Sequence, residues 1–406
     1  MFEEPPLSFN ASIVVSSLIF CSLMSTAALV NAQDSIPVTS SYGDKGFEFR
    51  TTDNRFLLQI QSRFQFRYAT PSDEAPTALE DYYTEDADTL NINRARLKVG
   101  GHAYQPWLKY FWEYDLRRGY LLDYRIMIEK YDWLKFKAGQ WKLEYSRERS
   151  ISSGGQQMLD RSILNRVFTL DRQQGGAVYG HLGGDGLLDF NYWTGITTGT
   201  GRGASSNDDD KFLYYGRFQW NVLGGGLEFD ASDIKRHDVP AAIIAVAGST
   251  NRSRYTRFSS SGGGALEGFE VGEDGRFKIK QYVIETALMY KGLSWQSEYH
   301  RKTVTDTLNS NLETTMSGYY VQAGYFLHES FNWWPKPLEA AFRYASFDPN
   351  IDNGDEKHLE KSIAFNWFFD GHSNKLTADI TRFDIEQLAS YVEDQWRYRL
   401  QWDVSF

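Results

Sequence analysis

A chain of 406 residues with 43 Lys and Arg against 53 Asp and Glu carries a formal charge of −10, and 16% of its residues are Phe, Trp or Tyr. A helical membrane protein needs several apolar runs of about 20 residues, and this chain has a single one, at residues 11–30. Its one cysteine, Cys21, lies inside that run, so the rest of the chain has no disulfide to draw on.

Residues 11–30, closing on Val30-Asn31-Ala32, read as a secretory apolar region with a small-residue cleavage site. Residues 1–32 are therefore expected to be a signal peptide, with residues 33–406 as the mature chain. The first ten residues hold Glu3 and Glu4 and no Lys or Arg, which a misassigned start codon or an uncleaved anchor would account for. Acylation of Cys21 is disfavoured by the bulky Phe20 directly before it.

From there the pattern has a period of two. Phe56, Leu58, Ile60, Phe64, Phe66 and Tyr68 share one parity, and Arg55, Gln59, Gln61, Arg63, Gln65 and Arg67 share the other. A strand sends successive side chains to opposite faces, and a face of Arg and Gln calls for water rather than a protein core. Leu108, Tyr110, Trp112, Tyr114 and Leu116 alternate with Lys109, Glu113, Asp115 and Arg117; Leu122, Tyr124, Ile126 and Ile128 alternate with Asp123, Arg125 and Glu129. Tyr282, Ile284, Leu288 and Tyr290 stand against Gln281 and Glu285, and Leu338, Ala340, Phe342 and Tyr344 against Glu339 and Arg343.

The final segment is the most regular. Trp396, Tyr398, Leu400, Trp402, Val404 and Phe406 face one way, and Gln395, Arg397, Arg399, Gln401, Asp403 and Ser405 the other. Such an edge invites aggregation in water, whereas in a closed membrane barrel it pairs with the first strand and turns its aromatics to lipid. Ending on Phe406 also resembles the C-terminal signal of bacterial outer-membrane barrels.

Thr52-Asp53-Asn54, Lys130-Tyr131-Asp132 and residues 370–374 suit tight hairpins, while residues 70–89, 141–175, 199–210 and 234–280 read as long loops. Short turns on one rim and long loops on the other are the asymmetry of a membrane barrel. At about 23 residues per strand and connection, about 374 residues make about 16 strands. The expected fold is all-β, a transmembrane antiparallel β-barrel of about 16 strands with aromatic girdles and no second domain.

The order of motifs resembles the phosphate-selective porin O and P family, trimeric anion channels of Gram-negative outer membranes. Gly46-Phe47-Glu48-Phe49 with Thr51-Thr52-Asp53, Asn93-Arg94-Ala95-Arg96-Leu97 and Phe136-Lys137-Ala138-Gly139-Gln140-Trp141 carry the resemblance in the first half. Asp160-Arg161-Ser162-Ile163-Leu164-Asn165, the run from Gly318-Tyr319-Tyr320 to Tyr325-Phe326-Leu327, and Ala364-Phe365-Asn366-Trp367-Phe368 continue it. The resemblance implies an infolded third loop at residues 141–175, with Arg149, Ser152, Ser153 and Arg161 at anion-contacting positions of a constriction. It places Arg63, Arg94 and Asp123 on the facing wall, and matches Arg252, Arg254 and Arg257, more loosely, to an extracellular funnel in a long fifth loop. Arg96 and Lys142 depart from the family, whose best-known phosphate-selective members have aromatic residues there. Extra cations should deepen an anion well, while losing aromatic walls should widen the aperture and blunt phosphate preference.

The residues point the same way without the family. Guanidinium groups match phosphate oxygens in bidentate geometry, and partial sites in series let an ion hop. Arg63, Arg67, Arg94, Arg96 and Lys98 share the lumen-facing parity. For any one of them the plainer role stands open, an arginine paired with wall carboxylates for rigidity, as expected for Arg117, Arg343 and Arg397. Asp123 reads equally as the partner of a nearby arginine. Glu80-Asp81, Glu85-Asp86-Ala87-Asp88 and Asp208-Asp209-Asp210 read as solvated loop acids, or as bridges to lipopolysaccharide phosphates through divalent ions.

Asp348-Pro349-Asn350-Ile351-Asp352-Asn353-Gly354 misses the calcium-loop spacing by one place, with Leu359 where the twelfth-position Glu would be, and reads as a plain loop. No HExxH, GxSxG, Walker or GxGxxG pattern occurs, so no enzyme and no cofactor is expected. The expected function is passive passage of small anions, phosphate or polyphosphate first, through a homotrimer in the Gram-negative outer membrane. Expected partners are lipid, lipopolysaccharide and the barrel assembly machinery, and no nucleic acid. The runner-up is a general or carboxylate-type diffusion porin; an adhesin or enzyme barrel would call for a plug or an extracellular domain.

Overall fold

The computed structural model describes residues 36–77, 81, 87–184, 187–204, 206–259, 262–354, 356–387 and 394–406; the expected signal peptide and the acids at positions 80, 85 and 86 lie outside them. Two short strands, β1 (Val38–Gly43) and β2 (Gly46–Thr51), form a hairpin. The barrel begins with β3 (Leu57–Thr70), β4 (Thr89–His102), β5 (Leu108–Asp115), β6 (Tyr120–Tyr131), β7 (Leu134–Lys142), β8 (Arg172–Leu182), β9 (Phe190–Thr197) and β10 (Leu213–Leu223). It continues with β11 (Ala241–Ser253), β12 (Phe277–Tyr290), β13 (Leu293–Asp306), β14 (Leu312–Tyr325), β15 (Leu338–Asp348), β16 (Glu356–Asp370), β17 (Asn374–Gln387) and β18 (Gln395–Ser405).

Each strand from β3 onward pairs antiparallel with the next, and β18 closes on β3 with Leu400 opposite Tyr68 and Trp402 opposite Phe66. Phe406 and Ser62 exchange both backbone hydrogen bonds (2.6 and 3.0 Å), and β2 takes the rest of that edge, Phe47 opposite Ile60. The chain is a closed 16-stranded antiparallel transmembrane barrel, in which every wall strand finds both neighbours. Among the described residues no helix is long and apolar enough to cross a membrane. The seam is apolar outside, where Phe66 stacks on Trp402 (5.8 Å) and Phe64 on Phe406 (6.0 Å).

The third loop, L3 (residues 143–171), folds into the barrel and carries two short helices, α1 (Arg147–Ser150) and α2 (Leu164–Phe168). Leu143, Tyr145, Leu164, Val167, Phe168 and Leu170 pack with wall residues Tyr215, Ile279, Val283, Val304, Met316 and Tyr320 in one buried cluster. The wall makes room by omission: a Cβ on Gly318 would collide with Leu164, and one on Gly324 with Gln157. At the opposite rim the connection from β10 to β11 also turns inward, burying Leu227, Ala231, Ser232 and Asp233. It meets L3 through Ala231 N–H to Gly155 O (3.3 Å), and through Arg147, whose guanidinium donates to the Glu228 and Asp230 carbonyls (2.8 Å each).

Three expectations change. The long loop at residues 234–280 contains the whole of β11, and β12 begins at Phe277. Its inward residues Ala241, Ile243 and Ala245 are apolar because they pack on the infolded connection, so no polar parity marks the strand. Leu122 is buried, not outward, because β6 bulges opposite Glu113 and Tyr114 and resets its parity there. The polar face of β3 is not bathed in water: Arg63, Gln65 and Arg67 are buried among polar partners from L3 and β18. Residues 348–354, read as a plain loop, form a turn in which Asn350 N–H donates to Asp348 Oδ1 (3.0 Å).

Leu400 sits mid-strand on the lipid face, opposite Tyr68. Leu400→Arg should cost about 2 to 4 kcal/mol of barrel stability, read as a lower urea midpoint for folding into lipid vesicles. An unchanged midpoint would place that face away from lipid.

Candidate functional site

L3 has little regular structure, so its backbone groups need partners inside the barrel. Wall carboxylates accept from its N–H groups: Glu285 from Arg147 (3.0 Å), Glu298 from Glu148 (2.7 Å), Asp379 from Leu159 (3.2 Å) and Glu360 from Ile163 (2.9 Å). Wall cations and amides donate to its carbonyls: Lys375 to Gly154 and Gln156, Asn366 to Gln157, Arg343 to Asp160, Lys302 to Val167 and Gln281 to Phe168 (2.7–3.2 Å). Inside L3, Glu148 accepts from Ser162 N–H (2.7 Å) and Oγ (3.0 Å).

L3 faces β4 to β8 across a cavity of about 200 Å³, whose lining includes Arg94, Arg96, Lys142, Arg149, Ser153 and Arg161 from the expected set. Arg118, Arg172 and Arg202 join them, so among the described residues the lining holds eight cations and two carboxylates, Asp115 and Asp160. Most of these charges are matched. Arg96 bonds Glu113 (2.7 Å), Arg149 bonds Asp171 through Nε (3.0 Å), and Arg172 bonds Asp123. Asp160 is shared by Arg67 (2.7 Å), Arg94 (3.6 Å) and Arg399.

Two cations are held differently. Lys142 donates to the carbonyls of Arg149 (3.2 Å), Ser150 (3.2 Å) and Ile151 (3.4 Å), and Arg161 to those of Glu148 (2.9 Å) and Ile151 (2.6 Å). Among the described residues neither has a carboxylate within 4 Å. A carbonyl positions a cation through a dipole and leaves its net charge in place, whereas a carboxylate cancels it. Burial, and next the Arg149 charge, pull the Arg161 guanidinium well below its ordinary value. Since a guanidinium keeps its proton in a protein, this registers a positive charge that is buried beside another.

For Asp160, burial works upward, but Arg67, Arg399 and Arg94 outweigh it and hold the carboxyl well below its ordinary value. Its contribution to stability is then complete above the unfolded value of about 4 and lost only as pH falls through the lower native one.

The remaining expected residues are spread out. Arg63 donates to Ser405 Oγ (2.8 Å) and Ser152 Oγ (3.1 Å), and its guanidinium lies where a Cβ on Gly154 would stand. Asp123 accepts from Arg172 and Arg125 (3.0 Å), which makes it a positioning group behind the cavity. Of the three arginines matched to a loop-borne funnel, Arg254 and Arg257 lie in the loop after β11 and Arg252 does not. Arg252 lies in β11 on its outward parity, donating to Gly275 O (2.7 Å), and Arg254 pairs with Asp274. Arg257 donates to Ser259 Oγ (2.8 Å) and Ala265 O (3.3 Å). Arg343 and Arg399 sit in wall networks with Glu360 and Asp379; Arg397 donates to Asp73 O (3.1 Å), and Arg117 is exposed, donating to Asn93 O (3.1 Å).

Reading the sequence alone missed Arg118, Tyr120, Arg172 and Arg202. Asn93 and Leu122, which also line the cavity, are the extra residues of bulges in β4 and β6, and alternation carries no sign of a bulge.

A closed 16-stranded barrel narrowed by an inturned third loop, with cations around the remaining space, defines a porin-type channel. The family model for the phosphate-selective porin O and P family matches residues 77–381, and the chain belongs to that family. It is a channel and not an enzyme. No curated protein matches it.

Solved barrels share the fold at low identity. In vitro folded OmpT of Vibrio cholerae in a trimer form is 10% identical over 86% of this chain and 99% of its own, with a TM-score of 0.52. The outer membrane channel DcaP of Acinetobacter baumannii is 12% identical over 88% and 99%, with a TM-score of 0.55. OmpF of Salmonella typhi in complex with daunomycin is 12% identical over 88% and 100%, with a TM-score of 0.53.

Glu148→Ala removes the acceptor of the Ser162 N–H and hydroxyl and the more distant of the two carboxylates near Arg343, which keeps Glu360. It should cost about 1 to 3 kcal/mol for the buried donors left unpaired and, in single-channel recordings, give a larger and less steady conductance. A steady wild-type conductance would mean that L3 is seated without it.

Proposed function

We propose that this barrel is a passive outer-membrane channel for small oxyanions, with inorganic phosphate as the leading substrate and polyphosphate as an extended form of the same chemistry. The observation that carries the reading is the anchoring of Lys142 and Arg161 on carbonyl oxygens. A unit charge about 4 Å from an anion at an effective dielectric of about 20 is worth about 4 kcal/mol. Two such cations offset much of the cost of stripping part of an anion's water, and the matched cations around them supply donors without a deep trap. Arg94 and Ser153 face the same space, and Arg63 with Ser152 continues the polar lining beside it.

The family name supports phosphate. Arg96 and Lys142 bear on how sharply it is preferred. Arg96 is neutralised by Glu113, so of the two departures from the family pattern only Lys142 deepens the well. A general or carboxylate-type diffusion porin without phosphate preference is the second reading, favoured by the missing aromatic walls.

The rest of the setting follows the same reading. Residues 1–32 direct export and are removed, residues 33–406 form the mature chain, and the barrel assembly machinery inserts it among lipid and lipopolysaccharide. A homotrimer is the proposed assembly, in line with the trimer form of OmpT. Arg254 and Arg257 remain candidates for gathering anions at the rim, whereas Arg252 points away from the lumen.

In planar bilayers under a KCl gradient, reversal potentials should show anion preference, and millimolar phosphate should reduce chloride current. Cation preference would overturn the channel's assignment to anions; anion preference without phosphate block would leave the second reading. Arg161→Ala should weaken phosphate block about tenfold, the worth of one charge-assisted hydrogen bond.

A further inference from the structure

Resting on the anion-channel reading, we propose that Arg202 is a specificity-determining residue, a loop-borne oxyanion receptor held at the cavity by the fourth loop. That loop, L4 (residues 198–212), bends inward at Gly201-Arg202-Gly203. Both glycines have positive φ, +96° and +81°, the conformation that lets the chain turn sharply on either side of one long side chain.

The wall grips both flanks of Arg202. Gly201 N–H donates to Gln173 Oε1 of β8 (3.0 Å), and Gly203 N–H donates to Gln140 Oε1 of β7 (2.8 Å). The amide of Gln140 in turn donates to the Leu122 carbonyl of β6 (2.7 Å). The loop tip is thereby fixed two residues from Tyr120, and the Arg202 guanidinium carbon lies 4.1 Å from the centre of that ring. Tyr120 and Arg202 both line the cavity that holds Arg94, Lys142 and Arg161.

A guanidinium on an aromatic face uses its π surface for the contact, while oxyanions are bound by its in-plane N–H groups. Holding the plane still removes part of the rotamer entropy that an unrestrained arginine loses on capturing an anion. The match is to two coplanar oxygens, as in phosphate, sulfate or a carboxylate, and not to a spherical halide. The β6 bulge at Leu122 contributes by bringing Tyr120 to the lumen side, so bulge, ring and loop act on one residue.

The test is phosphate block of chloride current in the full chain, with Arg202→Ala, Arg202→Lys and Tyr120→Leu compared with wild type. Arg202→Ala should weaken the block about tenfold. Arg202→Lys, which keeps the charge and loses the planar fork, should recover less than half of that loss on a logarithmic scale, and Tyr120→Leu should fall between wild type and Arg202→Ala. An unchanged block in Arg202→Ala overturns the proposal and leaves the anion channel standing. Full recovery by lysine also overturns it, since charge alone would then suffice. Cation preference in the wild-type channel would remove both readings together.

Discussion

The constraint on which the rest depends is that L3 crosses the barrel interior without a ladder of its own. Each buried peptide group left without a partner costs about 1 to 3 kcal/mol, and a loop of this length has many. The wall therefore supplies the missing ladder with side chains: Glu285, Glu298, Glu360 and Asp379 receive N–H groups, while Lys302, Arg343, Asn366 and Lys375 serve carbonyls. These residues lie on β12 to β17. That arc of the wall is committed to holding L3, and the cationic cavity beside L3 lies against β4 to β8.

This division explains how much of the protein is legible in its sequence. The outer face is set by lipid, a uniform solvent, so alternation in β3, β5, β12, β15 and β18 reads cleanly. The inner face has two solvents. Where it meets the infolded segments it is apolar or carries interlocking polar pairs, as in β11 with Ala241, Ile243 and Ala245, and period-two patterning disappears. Where it meets the cavity it is cationic and recognisable. Bulges at Asn93 and Leu122 defeat the parity rule at the positions that matter most for the site.

The candidate residues divide on a property that sequence does not display, the nature of the group opposite each charge. Arg149 and Lys142 are equivalent as letters in a lumen-facing stretch. In the fold Arg149 meets Asp171 and contributes shape, while Lys142 meets three carbonyls and contributes potential. Asp123, open to reading as a group of the anion ring or as the partner of an arginine, is paired with Arg172 and Arg125. Arg202 came from a loop read as external, because nothing in Gly201-Arg202-Gly203 announces that Gln140 and Gln173 will draw it inward.

The chain's net charge of −10 is compatible with this cationic interior because charge acts over a short range. At physiological salt the screening length is about 8 Å, so loop acids such as Asp209, paired with Arg252 at 3.5 Å, contribute little field in the cavity. Inside, carboxylates are engaged by arginines: Glu285 by Arg217, Glu360 by Arg343, Asp379 by Arg399 and Asp171 by Arg149. Such matched pairs cancel at a distance, whereas Lys142 and Arg161, held on carbonyl oxygens, keep their net charge beside the cavity. The sign of the charge around the cavity depends on which of its cations lack a carboxylate, so a chain with an excess of acids can still line a cavity mostly with cations.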